Sequence, residues 1–364
     1  MRAEDRLLLL CARQDFTSGH RQAAGEICRG GAIRWDRLLA TAESHGVLPI
    51  VGANLRRCDV RDVPLPEEVA GRLELALLEN AALKERDADR LAAALAALRE
   101  VELEALLLKG TALDLLVYDE PWVAMSRDID LSLRPIGPGW EKGKGREKEV
   151  RWDLYCHGVE CDLEGHHDIT LNGVLPLDFA RIWRDARPVS FRGQAAWVMS
   201  PEDLLVSLGV NACRKHFFRL KSLFDLAETL RRGGPFDPVR LAAIVREGRC
   251  GAVVVAALLA ARELLGASPS PELLAGLGVS RPRAGLLRRL VAAFRRWGSF
   301  AGPSSRLLGQ ALVIASLGPA ELLRYLVYSV TRRPRRPAYS PDPDGTVAGA
   351  AGVLSRSAGS PSRS

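Results

Sequence analysis

No apolar run in this chain approaches the roughly 20 residues needed to cross a bilayer. The longest, Ala252 to Ala261, has the length of a buried helix. Near the start only Leu7 to Ala12 is apolar, and Glu4 and Asp5 precede it, which argues against a secretory signal. Cysteine is sparse and odd in number, seven scattered through 364 residues. That usage suits a reducing cytosol rather than a disulfide framework, so the expected location is cytoplasmic. Cys156, His157, Cys161, His166 and His167 lie close together, but their spacing matches no zinc pattern. There is no internal repeat and no heptad run long enough for a coiled coil. With 47% hydrophobic residues the chain can bury a sizeable core, in two or three subdomains.

Charge excludes little. The net charge is +7, but the stretch from Ser329 onward holds six arginines against two aspartates, leaving +3 for the rest. Arg332-Arg333-Pro334-Arg335-Arg336, followed by Pro, Ser, Gly and Ala, reads as a disordered basic tail over 331–364. One other basic concentration stands out. Arg281, Arg283, Arg288, Arg289, Arg295 and Arg296 have no acid among them, and Leu286, Leu287, Leu290, Val291 and Phe294 form the apolar stripe of the same helix. A solvated arginine face is the ordinary reading; RNA or a membrane surface is the functional one.

The periodicity divides the chain into a helical region at 1–102, a mixed region at 103–199 and a second helical region at 200–330. Glu67 to Glu102 is one long helical pattern without an interior proline. It leads into Leu106-Leu107-Leu108, a short covered strand, then Lys109-Gly110-Thr111 and a helix over Thr111 to Tyr118. Gly110 leaves the backbone open to close approach, Thr111 can cap the helix, and the helix start is an anion site that Lys109 reinforces. Further on, Ser126-Arg127-Asp128-Ile129-Asp130-Leu131 forms a strand in which Asp128 and Asp130 share a face. Two carboxylates that close repel unless a cation or a proton lies between them. Oxygen-only ligation suits Mg²⁺, which leaves its other positions to water and phosphates. Taken together, the two motifs suggest metal-assisted attack on a nucleotide phosphate.

Leu108-Lys109-Gly110, then Tyr118, then Asp128-Ile129-Asp130-Leu131 resembles the uncharacterised nucleotidyltransferase family of the polymerase-β-type superfold. Ala42 to Pro49, Trp183, Ser200 to Leu205 and Arg219 to Ala227 resemble its flanking helical signatures, so the likeness spans roughly residues 30–235. It implies an α+β fold, a small mixed β-sheet core flanked by N-terminal and C-terminal helical regions and predominantly helical overall. It also implies two Mg²⁺ ions, an NTP substrate and transfer of a nucleoside monophosphate to a hydroxyl acceptor, which could be a small molecule, peptide, protein or RNA. Such a site needs a third carboxylate. In Val159 to Glu164 the alternation puts Glu160, Asp162 and Glu164 on one face. Asp162-Leu163 fits the family pattern best, with Glu160 as the alternative. Lys215 and Lys221 fall where the resemblance places the nucleotide, although Lys221 and Asp225 are also spaced to bridge along a helix. Two departures appear. Ala124 stands where the family has an arginine, with Arg127 as its possible substitute. The span from Pro135 to Trp152 is too short for the usual helix and strand, so either the sheet is trimmed or a loop covers the site.

Overall fold

A computed structural model describes residues 1–30, 33–58, 63, 65–125, 128–136, 145–156, 159–163, 170–300 and 303–331; for 145–149, 152, 160–163, 297, 303 and 304 it describes the backbone alone. The protein is α+β, predominantly helical around a small mixed sheet.

Four short helices open the chain: α1 (Ala3–Cys11), α2 (Ser18–Arg29), α3 (Trp35–Ser44) and α4 (Leu48–Arg56). The bend between α3 and α4 is made at Gly46, whose φ of +71° is the left-handed region that glycine enters without cost. The uninterrupted pattern beyond it forms α5 (Glu67–Glu100), 34 residues and so about 50 Å long. Leu91, Ala94, Leu95 and Leu98, one stripe at helical spacing, are buried against the sheet.

The mixed region follows in the order β1 (Leu103–Leu107), α6 (Lys109–Leu116), β2 (Ile129–Pro135), α7 (Gly145–Cys156), β3 (Val159–Leu163), α8 (Phe179–Arg184), β4 (Arg187–Phe191) and β5 (Gln194–Val198). The strands lie in the order β3-β2-β1-β5-β4. β1 runs antiparallel to β2 and parallel to β5, β2 and β3 are parallel, and β4 and β5 form an antiparallel hairpin. Residues 137–144 of the Pro135–Trp152 span lie outside the described residues; beyond them α7 leads into β3, which pairs with β2.

Alternation decides which face is covered. Leu103, Ala105, Leu107, Ile129, Leu131, Leu133 and Val159 pack against α5 and against Val150 and Leu154 of α7. The other face carries Leu106 toward the helical body, and Asp130, Ser132 and Arg134 along β2. Its far end is closed by Arg134, which holds Glu104 at 2.7 Å and lies over the rings of Trp183 and Trp197.

The described residues that follow are helical: α9 (Pro201–Arg214), α10 (Leu220–Arg232), α11 (Pro238–Glu247), α12 (Gly251–Leu265), α13 (Pro271–Gly276), α14 (Arg281–Trp297), α15 (Pro303–Ser316) and α16 (Pro319–Thr331). Ser200 caps α9 by accepting the Asp203 N–H, with Pro201, Glu202 and Asp203 in the favoured first-turn places. α12 is the long apolar run. It is buried on nearly every face at the centre of the helical body and stops at Gly266 in the left-handed conformation. Among the described residues no helix is long and apolar enough to cross a membrane.

Candidate active site

The site starts from the turn between β1 and α6. Leu106, Leu107 and Leu108 are buried, and the Leu108 N–H donates to the Asp130 carbonyl at 3.2 Å, which ties the turn to β2. Lys109 then takes φ +46°, a conformation that costs a non-glycine residue about 1–3 kcal/mol and that the surroundings must enforce. The helix begins at Lys109, two residues before the expected start, with Leu108 as its N-cap and no side-chain cap bond. Thr111 therefore does not cap α6; it sits buried in the first turn, because the backbone has already entered the helix. The first-turn amides of α6 keep the anion-binding character of a helix start.

Across the turn, Asp130 lies in β2, while Asp128 stands just before it, outside the strand that begins at Ile129. Burial deepens from Asp128 inward: Asp128 is exposed, Asp130 is 6% exposed and Ser132 is fully buried. The Lys109 ammonium lies 2.9 Å from Asp130 Oδ2. The two motifs read separately in the sequence therefore meet in one ion pair. Among the described residues Ser132 Oγ has no hydrogen-bond partner. The parallel register sets Glu160 level with Asp130, and Asp162 level with Ser132. The side chains of Glu160 and Asp162, and the whole of Arg127, lie outside the described residues.

The other expected contacts fall into two places. Lys221 is near α6 but engaged: its ammonium holds both Asp225 oxygens, at 2.6 and 2.8 Å, as the helical spacing allowed. The buried Tyr118 hydroxyl donates to the same carboxylate. Burial and that carboxylate push the Tyr118 phenol well above its ordinary pKa. The Ala42–Pro49 signature docks here as well. Lys221 N–H donates to the His45 carbonyl, and Leu220 N–H donates to His45 Nδ1. Lys215 caps the far end of α9, beside His216, which packs on Gly309 of α15. It is a helix length, roughly 20 Å, from the start of α9.

Two features were not read from the sequence. Lys84 of α5 is buried and ion-paired with Asp114 of α6 at 2.6 Å. Burial raises the Asp114 pKa, with Lys84 and then Lys221 opposing it. The available signal was Asn80, Lys84 and Asp87, three polar residues at helical spacing between Leu73 and Leu91 on the buried stripe of α5. The second feature is a cavity of about 440 Å³ between α5 and α6. Thr111, Asp114 and Asp128 line it, with Trp122 at one wall and Phe191 and Arg192 of the β4–β5 turn at another.

Among the described residues no group of three His, Cys, Asp or Glu side chains is placed to hold a metal ion. Asp128 and Asp130 nevertheless fit Mg²⁺ as hard oxygen donors. The cation already resting on Asp130 is evidence that this position favours positive charge. Of the five clustered Cys and His residues, only the Cys156 side chain lies among those described, and it is exposed.

The described residues form an α+β core with Lys109, Asp128 and Asp130 gathered at one end of β2. Residues 31–266 match the model of the uncharacterised nucleotidyltransferase family, and the chain belongs to that family. Neither a curated protein nor a solved structure matches it. The match runs from before α3 to the end of α12, so α13 to α16 lie beyond it.

Proposed function

We propose that the protein is a Mg²⁺-dependent nucleotidyltransferase that moves a nucleoside monophosphate from an NTP to a hydroxyl acceptor. The observation that carries this reading is the meeting of Lys109 and Asp130, which brings an anion-binding helix start to the end of β2 where Asp130 lies and Asp128 precedes it. Asp128 and Asp130 would hold the metal, with Asp162 of β3 as the third carboxylate by family likeness and Glu160 as the alternative by register. Bound there, two Mg²⁺ ions would supply neutralisation of phosphate charge and a more acidic acceptor hydroxyl. Lys109 exchanges its carboxylate for phosphate oxygens when the NTP arrives, Gly110 and Thr111 offer first-turn amides, and Arg127, Lys215 and Lys221 are further candidate contacts. The acceptor oxygen bonds to the α-phosphorus as the bond to the bridging oxygen breaks. Pyrophosphate leaves with that electron pair, and the acceptor proton passes to the β3 carboxylate. Positioning and preorganised charge account for the rate, with no covalent intermediate.

The same ion pair favours one other reading, a non-catalytic module in which Lys109 permanently replaces the metal. Pyrophosphate release across the four NTPs with a panel of hydroxyl acceptors separates the two. The enzyme should release pyrophosphate only with Mg²⁺, and Asp128→Asn and Asp130→Asn should each reduce release by at least about 10²-fold. Magnesium-independent NTP binding without any release would leave the module.

A further inference from the structure

The cavity between α5 and α6 has a chemistry that a triphosphate does not use. At about 440 Å³ it lies in the range of small-molecule sites. Asp128 and Thr111 line it, so it reaches both the expected metal position and the first turn of α6. Trp122 is anchored there through its backbone, its carbonyl accepting from Asn80 Nδ2 of α5 at 2.6 Å. Leu91, Ile129 and Phe191 supply further apolar surface. The lining carries five carboxylates, Glu85, Asp87, Asp114, Glu120 and Asp128, against two cations. Both cations are engaged, Lys84 with Asp114 at 2.6 Å and Arg192 with Glu85 at 2.6 Å. Arg90, outside the lining, adds a third cation at 3.0 Å from Asp87, and the balance stays acidic. Asp114 Oδ1 is buried with no hydrogen-bond partner among the described residues, an acceptor in the wall still short of a donor.

We infer, on the nucleotidyl-transfer reading, that this cavity holds the acceptor and that the acceptor is a small polyhydroxyl compound bearing ammonium groups. The triphosphate goes to the Lys109 ammonium and the first-turn amides of α6, where positive charge is gathered. A nucleic acid or any other polyanion would meet like charge in the cavity, which opposes binding. Ammonium groups meet carboxylates there, in an enclosure that water screens less than an open surface. The indole face of Trp122 takes a cation or the apolar face of a sugar ring. A triphosphate with its two Mg²⁺ ions is about neutral and does not reverse the sign. A hydroxyl at the Asp128 end of the cavity then stands next to the α-phosphorus, with the rest of the acceptor reaching toward Trp122 and Glu120.

The test is calorimetric titration of the full-length protein with the fully deacetylated disaccharide of glucosamine, against cellobiose. The two sugars differ only in carrying ammonium or hydroxyl groups at two positions. With the amines protonated, two partly exposed ion pairs should give the diamine a Kd at least about tenfold tighter. Glu120→Gln should narrow that preference, and because Glu120 is exposed the variant should unfold with wild type. Ala88→Trp, which fills the cavity from α5, should abolish binding of both sugars. Equal affinity for the two sugars, no diamine binding at millimolar concentration, or a preference unchanged in both variants overturns the proposal. Displacement of the diamine by adenosine, guanosine, cytidine or uridine overturns it too, and gives the cavity to the base of the nucleotide. Pyrophosphate release with Mg²⁺ and the four NTPs keeps the two readings apart. Diamine preference with no release from any acceptor supports the amine site and refutes nucleotidyl transfer. Release with neutral acceptors and no diamine preference supports transfer and overturns the acceptor class.

Discussion

Replacing Lys109 by Met tests whether the Lys109–Asp130 pair holds a place for a metal ion. The ammonium and the carboxylate lie 2.9 Å apart, with the two side chains 15% and 9% exposed. Removing one member of a buried pair typically costs about 3–5 kcal/mol, because the other charge is left without compensation. Asp128 beside it is exposed, so water reaches this end of the strand and the lower figure of about 2–3 kcal/mol is appropriate here. For a chain of this size that lowers the unfolding midpoint by roughly 4–6 °C. Lys109 no longer competes for Asp130 in the variant, so Mg²⁺ alone should bind better than in wild type. At a concentration of 100 times its Kd the ion would return about 2.7 kcal/mol. The expected result is a destabilised metal-free variant that Mg²⁺ restores nearly to wild type, while wild type without NTP responds little. Pyrophosphate release should still fall by about 10²-fold, since the charge meant for phosphate is gone. Thermal unfolding with and without millimolar Mg²⁺ reads the first effect. Adding Asp130→Asn to the variant should abolish the magnesium response. Equal magnesium stabilisation of both proteins, or a variant as stable as wild type without the ion, would refute the reasoning.

The third carboxylate is decided by a pair of variants: Asp162→Asn should lower pyrophosphate release by at least about 10²-fold and Glu160→Gln by less than about threefold. The opposite ranking gives the role to Glu160, which the register sets beside Asp130. Acidification should weaken the link between the N-terminal helices and α10. His45 accepts the Leu220 N–H on Nδ1 and donates from Nε2 to the Phe300 carbonyl, and burial lowers its pKa below the ordinary 6.5. A folded-state pKa below the unfolded one means full stability above about pH 6.5, lost as pH falls because the unfolded chain takes the proton first. His20 and His216 are lowered too. The informative quantity is therefore the difference in urea stability between wild type and His45→Gln at pH 7.5 and pH 5, which should shrink on acidification. A constant difference would remove His45 from the account.

The sequence alone determined the parts governed by local chemistry. A 34-residue helix without interior proline, a covered strand leading into Lys-Gly, and a strand that carries Asp130 all follow from periodicity and turn residues; Asp128, expected on the same strand, falls just before its start. The family likeness rested on the same local features. The tertiary structure decided whatever depends on which segments become neighbours. It turned Lys109 onto Asp130, because the Leu108 N–H is held by the β2 backbone and forces the turn. It bound Lys221 to Asp225 under Tyr118, brought His45 to the start of α10, and set β3 beside β2. Only the tertiary structure could also show the Leu323–Val330 stripe of α16 exposed among the described residues. A helical pattern states that a face is apolar; whether anything lies against it depends on packing over long sequence separations, where no local period carries information.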